Sequence, residues 1–366
     1  MLNRRQIGMA LGALGLAASL PSRALQQVRV MKLANTAVVN DPQQCFCTAG
    51  QDPRLNFYKP HGVDVEYVNM SSMVQAMQSL RAGQVDFGPA VPGLLLPAMA
   101  KDPTLELVSV YEWLPRNANV IVVKPGSPIK SAADLAGKKI GVRNQGDPGI
   151  VITKTMLAEL GLKDEGIEYI GIGDGALAGS ALDAGRVDAM VTFDTAAARI
   201  ELVSGPLRYV PITPKLAQLG SGWLCVPRKL LKEERGSLVA LFQGLAKSTL
   251  FSNANLDAGI DLHWAVYPES RPKGRTEAEA RKELAFILKD RKNNWMRRPD
   301  DPDQRMGAMS LAGWQTNVAM AAETSKNPKL ATELGDANRL FTNELIDDIN
   351  AFDKRAVVQM AREFKL

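Results

Sequence analysis

Short runs of branched aliphatic residues alternate along the chain with segments whose apolar positions recur every three or four residues. The first kind, at 28–34, 63–68, 85–91, 105–110, 120–123, 139–142, 167–172, 187–193 and 207–212, reads as β-strand. The second, at 72–81, 131–135, 149–160 and 175–184, has helical spacing. Strand and helix in alternation predict an α/β protein with mostly parallel sheets covered by helices. Beyond Ile212 the pattern changes: 220–227 reads as one further strand, and helices then dominate at 235–252, 277–289, 310–322 and 338–363. Such a tail lacks strands for a sheet of its own, so it is expected to pack back on the first part of the chain.

One stretch occurs twice. Leu80-Arg81-Ala82-Gly83-Gln84-Val85-Asp86-Phe87 returns as Leu182-Asp183-Ala184-Gly185-Arg186-Val187-Asp188-Ala189, each time between a helix and a strand. In each copy the glycine ends the helix where a left-handed backbone is wanted, and Val-Asp leads into a buried strand. The repeat predicts two related lobes.

The N-terminus changes the picture of compartment. A basic start containing Arg4 and Arg5, an apolar run over 7–20 broken by Gly8, Gly12 and Gly15, and Ser22-Arg23-Ala24 predict an export signal over 1–24, cut after Ala24. The run falls short of the roughly 20 residues of a spanning helix. Arg4-Arg5 resembles a twin-arginine signal, and ordinary secretory signals also carry such pairs. The first cysteine is Cys45, so no lipid-anchor signal is expected, and a periplasmic location fits best. Without the three arginines of 1–24 the chain holds 41 basic against 39 acidic residues, a net charge of +2, with both signs interspersed. Nucleic-acid binding is therefore not expected. The length prior favours two domains.

Catalytic raw material is scarce. His61 and His263 are the two histidines of the sequence, too few for a His-based metal site, and no Ser/His/Asp pattern emerges. Cys45 and Cys47 stand too close for an unstrained bridge, and Cys225 lies in an apolar run as a small core residue. Gly220-Ser221-Gly222 is not a nucleophile elbow, and Gly171-Ile172-Gly173-Asp174-Gly175 lacks the context of a dinucleotide loop. No cofactor or metal is expected.

Four segments carry a resemblance. Tyr58-Lys59-Pro60-His61-Gly62-Val63-Asp64-Val65-Glu66, Ala82–Asp86, Ile129-Lys130-Ser131-Ala132-Ala133-Asp134-Leu135-Ala136-Gly137-Lys138-Lys139-Ile140-Gly141-Val142, and Ala184–Ala189 are similar to the type II periplasmic binding proteins of sulfonate, nitrate and taurine importers. That group is joined with thiamine-precursor binding and synthesis proteins. The resemblance implies two doubly wound α/β lobes joined by two crossing strands, near 117–123 and 219–226, with a helical C-terminal region packed on the first lobe. Residues 25–118 and 222–366 would form the first lobe and 119–221 the second. It further implies a monomeric, non-catalytic protein that closes on a small solute and delivers it to the membrane permease of an ABC-type importer. The solute is expected to be sulfonate-like, carboxylate-like or a small aromatic or pyrimidine.

In open α/β sheets ligands sit beyond the carboxyl ends of strands. That rule nominates Asn35, Thr36, Ser71, Ser72, Pro89, Ala90 and Val91 in the first lobe, and Asn144, Gln145, Gly146, Asp147, Phe193, Asp194 and Thr195 in the second. Ser71, Asp147 and Asp194 fit plain helix capping equally well. Trp113 and Trp223 lie near the crossings, placed either to stack on a flat ligand or to pack the hinge. Asp147 and Asp194 would repel a dianion unless a cation pairs with them, and Arg116 and Arg143 are the nearest candidates.

Two other readings remain. Thiamine-precursor synthases carry a cysteine-rich, iron-linked motif, and Cys45-Phe46-Cys47 is similar to its last three residues, with Gln43-Gln44 in place of the preceding cysteines. The other keeps the fold but serves a sensor instead of a transporter.

Overall fold

A computed structural model describes residues 28–36 and 41–365; the expected leader, 1–24, lies outside them. Ten strands form: β1 (Arg29–Asn35), β2 (Val63–Asn69), β3 (Gly88–Ala90), β4 (Leu107–Leu114), β5 (Asn119–Val123), β6 (Lys139–Val142), β7 (Glu168–Gly171), β8 (Ala189–Phe193), β9 (Arg208–Val210) and β10 (Gly222–Pro227). β2 pairs with β1 in parallel, Phe87 just before β3 bridges to Leu33 of β1, and β3-β10-β4 continue the layer. The second sheet runs β7-β6-β8-β5-β9. Both layers therefore have one order, with β1, β2, β3, β10 and β4 matched by β6, β7, β8, β5 and β9.

The repeated stretch is wired alike in both lobes. Helices α1 (Cys45–Thr48), α2 (Met73–Arg81), α3 (Pro92–Lys101), α4 (Pro148–Glu159), α5 (Gly175–Asp183) and α6 (Asp194–Ser204) cover the sheets, and the repeat follows α2 and α5. Gly83 and Gly185 take φ of 67° and 64°, left-handed values that favour glycine. The Asp86 carboxylate accepts the Lys32 backbone N–H at 2.7 Å, while the Asp86 N–H donates to Lys32 O at 2.8 Å. Asp188 repeats both bonds on Lys139, each at 2.8 Å. The aspartate thus stitches the repeat to the neighbouring strand, a role that the pattern of apolar residues does not disclose.

Four expectations are corrected. The sheets are mixed: β10 runs antiparallel to β3 and β4, and β5 antiparallel to β8 and β9. β5 and β10 enter their sheets from the opposite lobe, which reverses their direction. The expected strand at 85–91 shortens to Gly88–Ala90, because Val85–Phe87 is tied by the Asp86 clamp instead of a ladder. The expected helix at 131–135 is one 3-10 turn, Ala132–Leu135, closed by a capping box between Ser131 and Asp134. The expected helix at 338–363 is broken: Leu340 O and the Thr342 N–H bond to the Ser109 backbone of β4, each at 2.9 Å, which holds that stretch extended.

The C-terminal helices fill the first lobe's core. Arg235–Ala254 places Phe242 against Tyr111 of β4, with rings stacked at 5.3 Å. The tail also reaches across: Leu311–Thr324 buries Trp314 and Val318 with the first lobe, and Met320 with the second. Among the described residues no helix is long and apolar enough to cross a membrane.

Candidate functional site

The two lobes meet beyond the carboxyl end of β8, where α6 faces Asp41, Gln43 and the Arg291–Asn294 helix of the first lobe. In the first lobe Asn35, at the end of β1, is buried and donates to Asn69 Oδ1 at 2.8 Å; Gln44 donates to Asn35 Oδ1 at 3.3 Å. Its neighbour Gln43 meets the second lobe, where Thr195 Oγ1 donates to Gln43 Oε1 at 3.3 Å. Asp194 opens α6 and is buried, with Oδ1 accepting the Thr195 N–H at 2.7 Å. Its remaining acceptor capacity is filled from the first lobe's tail: Arg291 Nε donates at 2.9 Å to Oδ1 and Asn294 Nδ2 at 2.8 Å to Oδ2. Phe193 lies 4.5 Å beneath the Arg143 guanidinium and 5.9 Å from that of Arg291. Arg143 in turn pairs at 2.5 Å with Asp147, whose other oxygen caps α4 through the Gly149 N–H.

A path of hydrogen bonds and ring contacts, bridged by the Gln43–Gln44 peptide, thus runs from Asn35 to Asp147. It unites Asn35, Asp147, Phe193, Asp194 and Thr195 of the nominated residues. Of the two expected cation partners Arg143 pairs with Asp147, whereas Asp194 is paired by Arg291, which the sequence reading did not nominate. Arg116 turns away and donates to Arg297 O at 2.9 Å. A further ion pair, Arg199 with Asp41, ties the lobes with the opposite polarity. Arg143, Arg199 and Arg291 are each matched by one aspartate, so the path carries no net charge.

Other nominated residues lie apart from it. Thr36 is exposed after β1. Ser71 donates its hydroxyl to Gln75 Oε1 at 2.8 Å, and Ser72 caps α2. Pro89 and Ala90 pair with β10, and Val91 stands before α3. Asn144, Gln145 and Gly146 form an exposed turn closed by the bond from the Gly146 N–H to Asn144 Oδ1, 2.9 Å. Trp223 is buried against Trp314, ring centres 5.8 Å apart. Trp113 stacks on Phe46 at 4.7 Å and lines a cavity of about 50 Å³, room for water and not for an organic solute.

The cysteines of Cys45-Phe46-Cys47 are core residues. Ser252 Oγ donates to Cys45 O at 2.8 Å, Thr249 Oγ1 to Phe46 O at 3.0 Å and Tyr58 OH to Cys47 O at 2.8 Å, so α1 is held by hydroxyls. Burial pushes the Cys45 thiol up to about 12 and raises Cys47 likewise, which disfavours the free thiolate that nucleophilic attack needs. Among the described residues no group of three His, Cys, Asp or Glu side chains is placed to hold a metal ion.

Beside the path lie the links between lobes. The Ser221 N–H donates to Leu114 O at 2.9 Å, its hydroxyl donates to Arg116 O at 3.1 Å, and it accepts the Ala118 N–H at 2.9 Å. Glu112, two residues before the end of β4, keeps 11% of its side chain exposed and pairs with Arg297 at 3.0 Å. Desolvation pushes its carboxyl up to about 7, although Arg297 opposes the shift.

Two mixed sheets of one order, joined by two links, define a two-lobed α/β fold with a polar path between the lobes. Residues 52–257 match the family described as NMT1/THI5 like, and the chain belongs to that family. A protein of Haemophilus influenzae named for thiamine biosynthesis is 28% identical over 179 residues, 49% of this chain and 53% of its own length. An Escherichia coli K12 protein named for binding aliphatic sulfonates is 30% identical over 163 residues, 44% of this chain and 49% of its own. The chain spans about half the length of these two curated relatives. The structure of the alkanesulfonate-binding protein from Xanthomonas axonopodis pv. citri, bound to MOPS, superposes with a TM-score of 0.60 at 19% identity, covering 86% of this chain and 99% of that one. A protein of Bordetella bronchiseptica RB50 superposes with 0.64 at 20% identity, over 89% and 98%.

Proposed function

We propose that the chain is a periplasmic solute-binding protein that takes a small organic molecule between its lobes and hands it, as a monomer and without chemistry, to the permease of an ABC-type importer. The observation that carries this reading is the polar path between two sheets of matching order, at the strand ends where such folds hold ligands. The names of the sulfonate-binding relatives support the class of task. The solute is sulfonate-like, carboxylate-like, or a small aromatic or pyrimidine; Asn35, Phe193 and Thr195 contact it, with the Asn144–Asp147 turn at its edge, whereas the Asp194 carboxylate is filled by Arg291 and Asn294. The buried thiols count against a synthase reading.

A thermal-shift panel of sulfonates, carboxylates and pyrimidines on the protein lacking 1–24 tests this. A true solute at a hundred times its dissociation constant adds about 2.7 kcal/mol of stability. Failure of every class to shift the melt, or turnover of any compound, overturns the reading.

A further inference from the structure

The place where the strand-end rule puts a solute, the start of α6 after β8, is already occupied by the chain itself. The helix Arg291–Asn294 is anchored on the first lobe: Asn253 Nδ2 donates to Lys292 O at 2.7 Å, and Trp295 is buried with Phe46, ring centres 5.8 Å apart. From that anchor Arg291 and Asn294 fill the Asp194 carboxylate of the second lobe, and the pair is buried on both sides. Lys289 reaches Glu201 of α6 at 3.4 Å, and Asp41–Arg199 closes the cleft again with the charges reversed. On the opposite flank Gly93 of α3 lies so close to α4 that a methyl group there would run into Val151. None of these contacts uses a solute.

Resting on the two-lobed reading above, we propose that Arg291, Asn294 and Asp194 form an internal latch that holds the lobes together before any solute arrives. Charged groups desolvated in pairs are costly to separate in place, whereas separation into water lets each regain hydration, so removing one partner drives the lobes apart. Because the latch fills the place of the solute, the unlatched state is the binding-competent one. Apparent affinity is the intrinsic affinity scaled by the population of that state, so unlatching strengthens every solute by one common factor.

Small-angle scattering of the solute-free protein tests the latch. Arg291→Gln is expected to enlarge the radius of gyration, Asn294→Ala to do so less, and the reversal Asp194→Arg with Arg291→Asp to return it towards the wild-type value. If Arg291→Gln does not melt cooperatively, Asn294→Ala and the reversed pair carry the comparison. Folded variants that scatter like the wild type overturn the latch, as does a wild-type protein that contracts on saturation with a solute. A wild-type protein that binds nothing in the panel yet expands when Arg291 is replaced upholds the latch and removes the transport reading.

Discussion

Glu112→Gln isolates the electrostatic cost of burying one carboxylate beside the interlobe links. In the folded protein this carboxyl is pushed from about 4.5 to about 7 by desolvation, against the pull of Arg297. The native state therefore binds the proton more tightly than the unfolded chain, and stability from this group is present below about pH 4.5 and lost as pH rises through about 7. That interval corresponds to about 3 kcal/mol at 1.36 kcal/mol per tenfold change in proton affinity. Glutamine keeps the shape and an acceptor for Arg297 but has no proton to lose. Urea titrations of wild type and variant, followed by tryptophan emission since Trp223 pairs with Glu112 across β10 and β4, give the difference in unfolding free energy at each pH. The difference should move in favour of the variant by about 3 kcal/mol between about pH 4.5 and about pH 8. A constant difference refutes the reasoning. A wild type that gains on the variant as pH rises shows that Arg297 outweighs desolvation and that the carboxyl is depressed instead.

Two further outcomes follow from the structure. Asp188→Ala removes the carboxylate that holds the Lys139 N–H and should cost about 1 kcal/mol in a denaturant titration, and Asp86→Ala a similar amount or more because Arg29 also binds there. The thiols of Cys45, Cys47 and Cys225 should resist a disulfide reagent in the native protein and all react in urea, since each is buried and raised; prompt native labelling would place one at the surface.

The two-lobe plan was legible because its carriers are local. A left-handed glycine and a Val-Asp entry recur at Gly83 and Gly185, and the backbone wiring around them repeats bond for bond. Strand direction was not legible, because β5 and β10 look in sequence like any buried strand and are reversed by where their chain comes from. The broken segment near Leu340 shows tertiary pairing with Ser109 overriding a helical pattern. Of the residues that the strand-end rule nominates, Asn35, Asp147 and Phe193–Thr195 lie on the polar path. The rule missed Gln43, Gln44 and Asn69, which act through hydrogen bonds to those residues. It missed Arg291 and Asn294 altogether, because they lie far along the chain from Asp194 in a polar run with no periodic signal.

A single residue couples the two links between the lobes. Ser221 sits on the returning link yet binds Leu114 through its backbone N–H and Arg116 and Ala118 through its hydroxyl on the outgoing one. Relative displacement of the two links therefore has to break hydrogen bonds of Ser221 first.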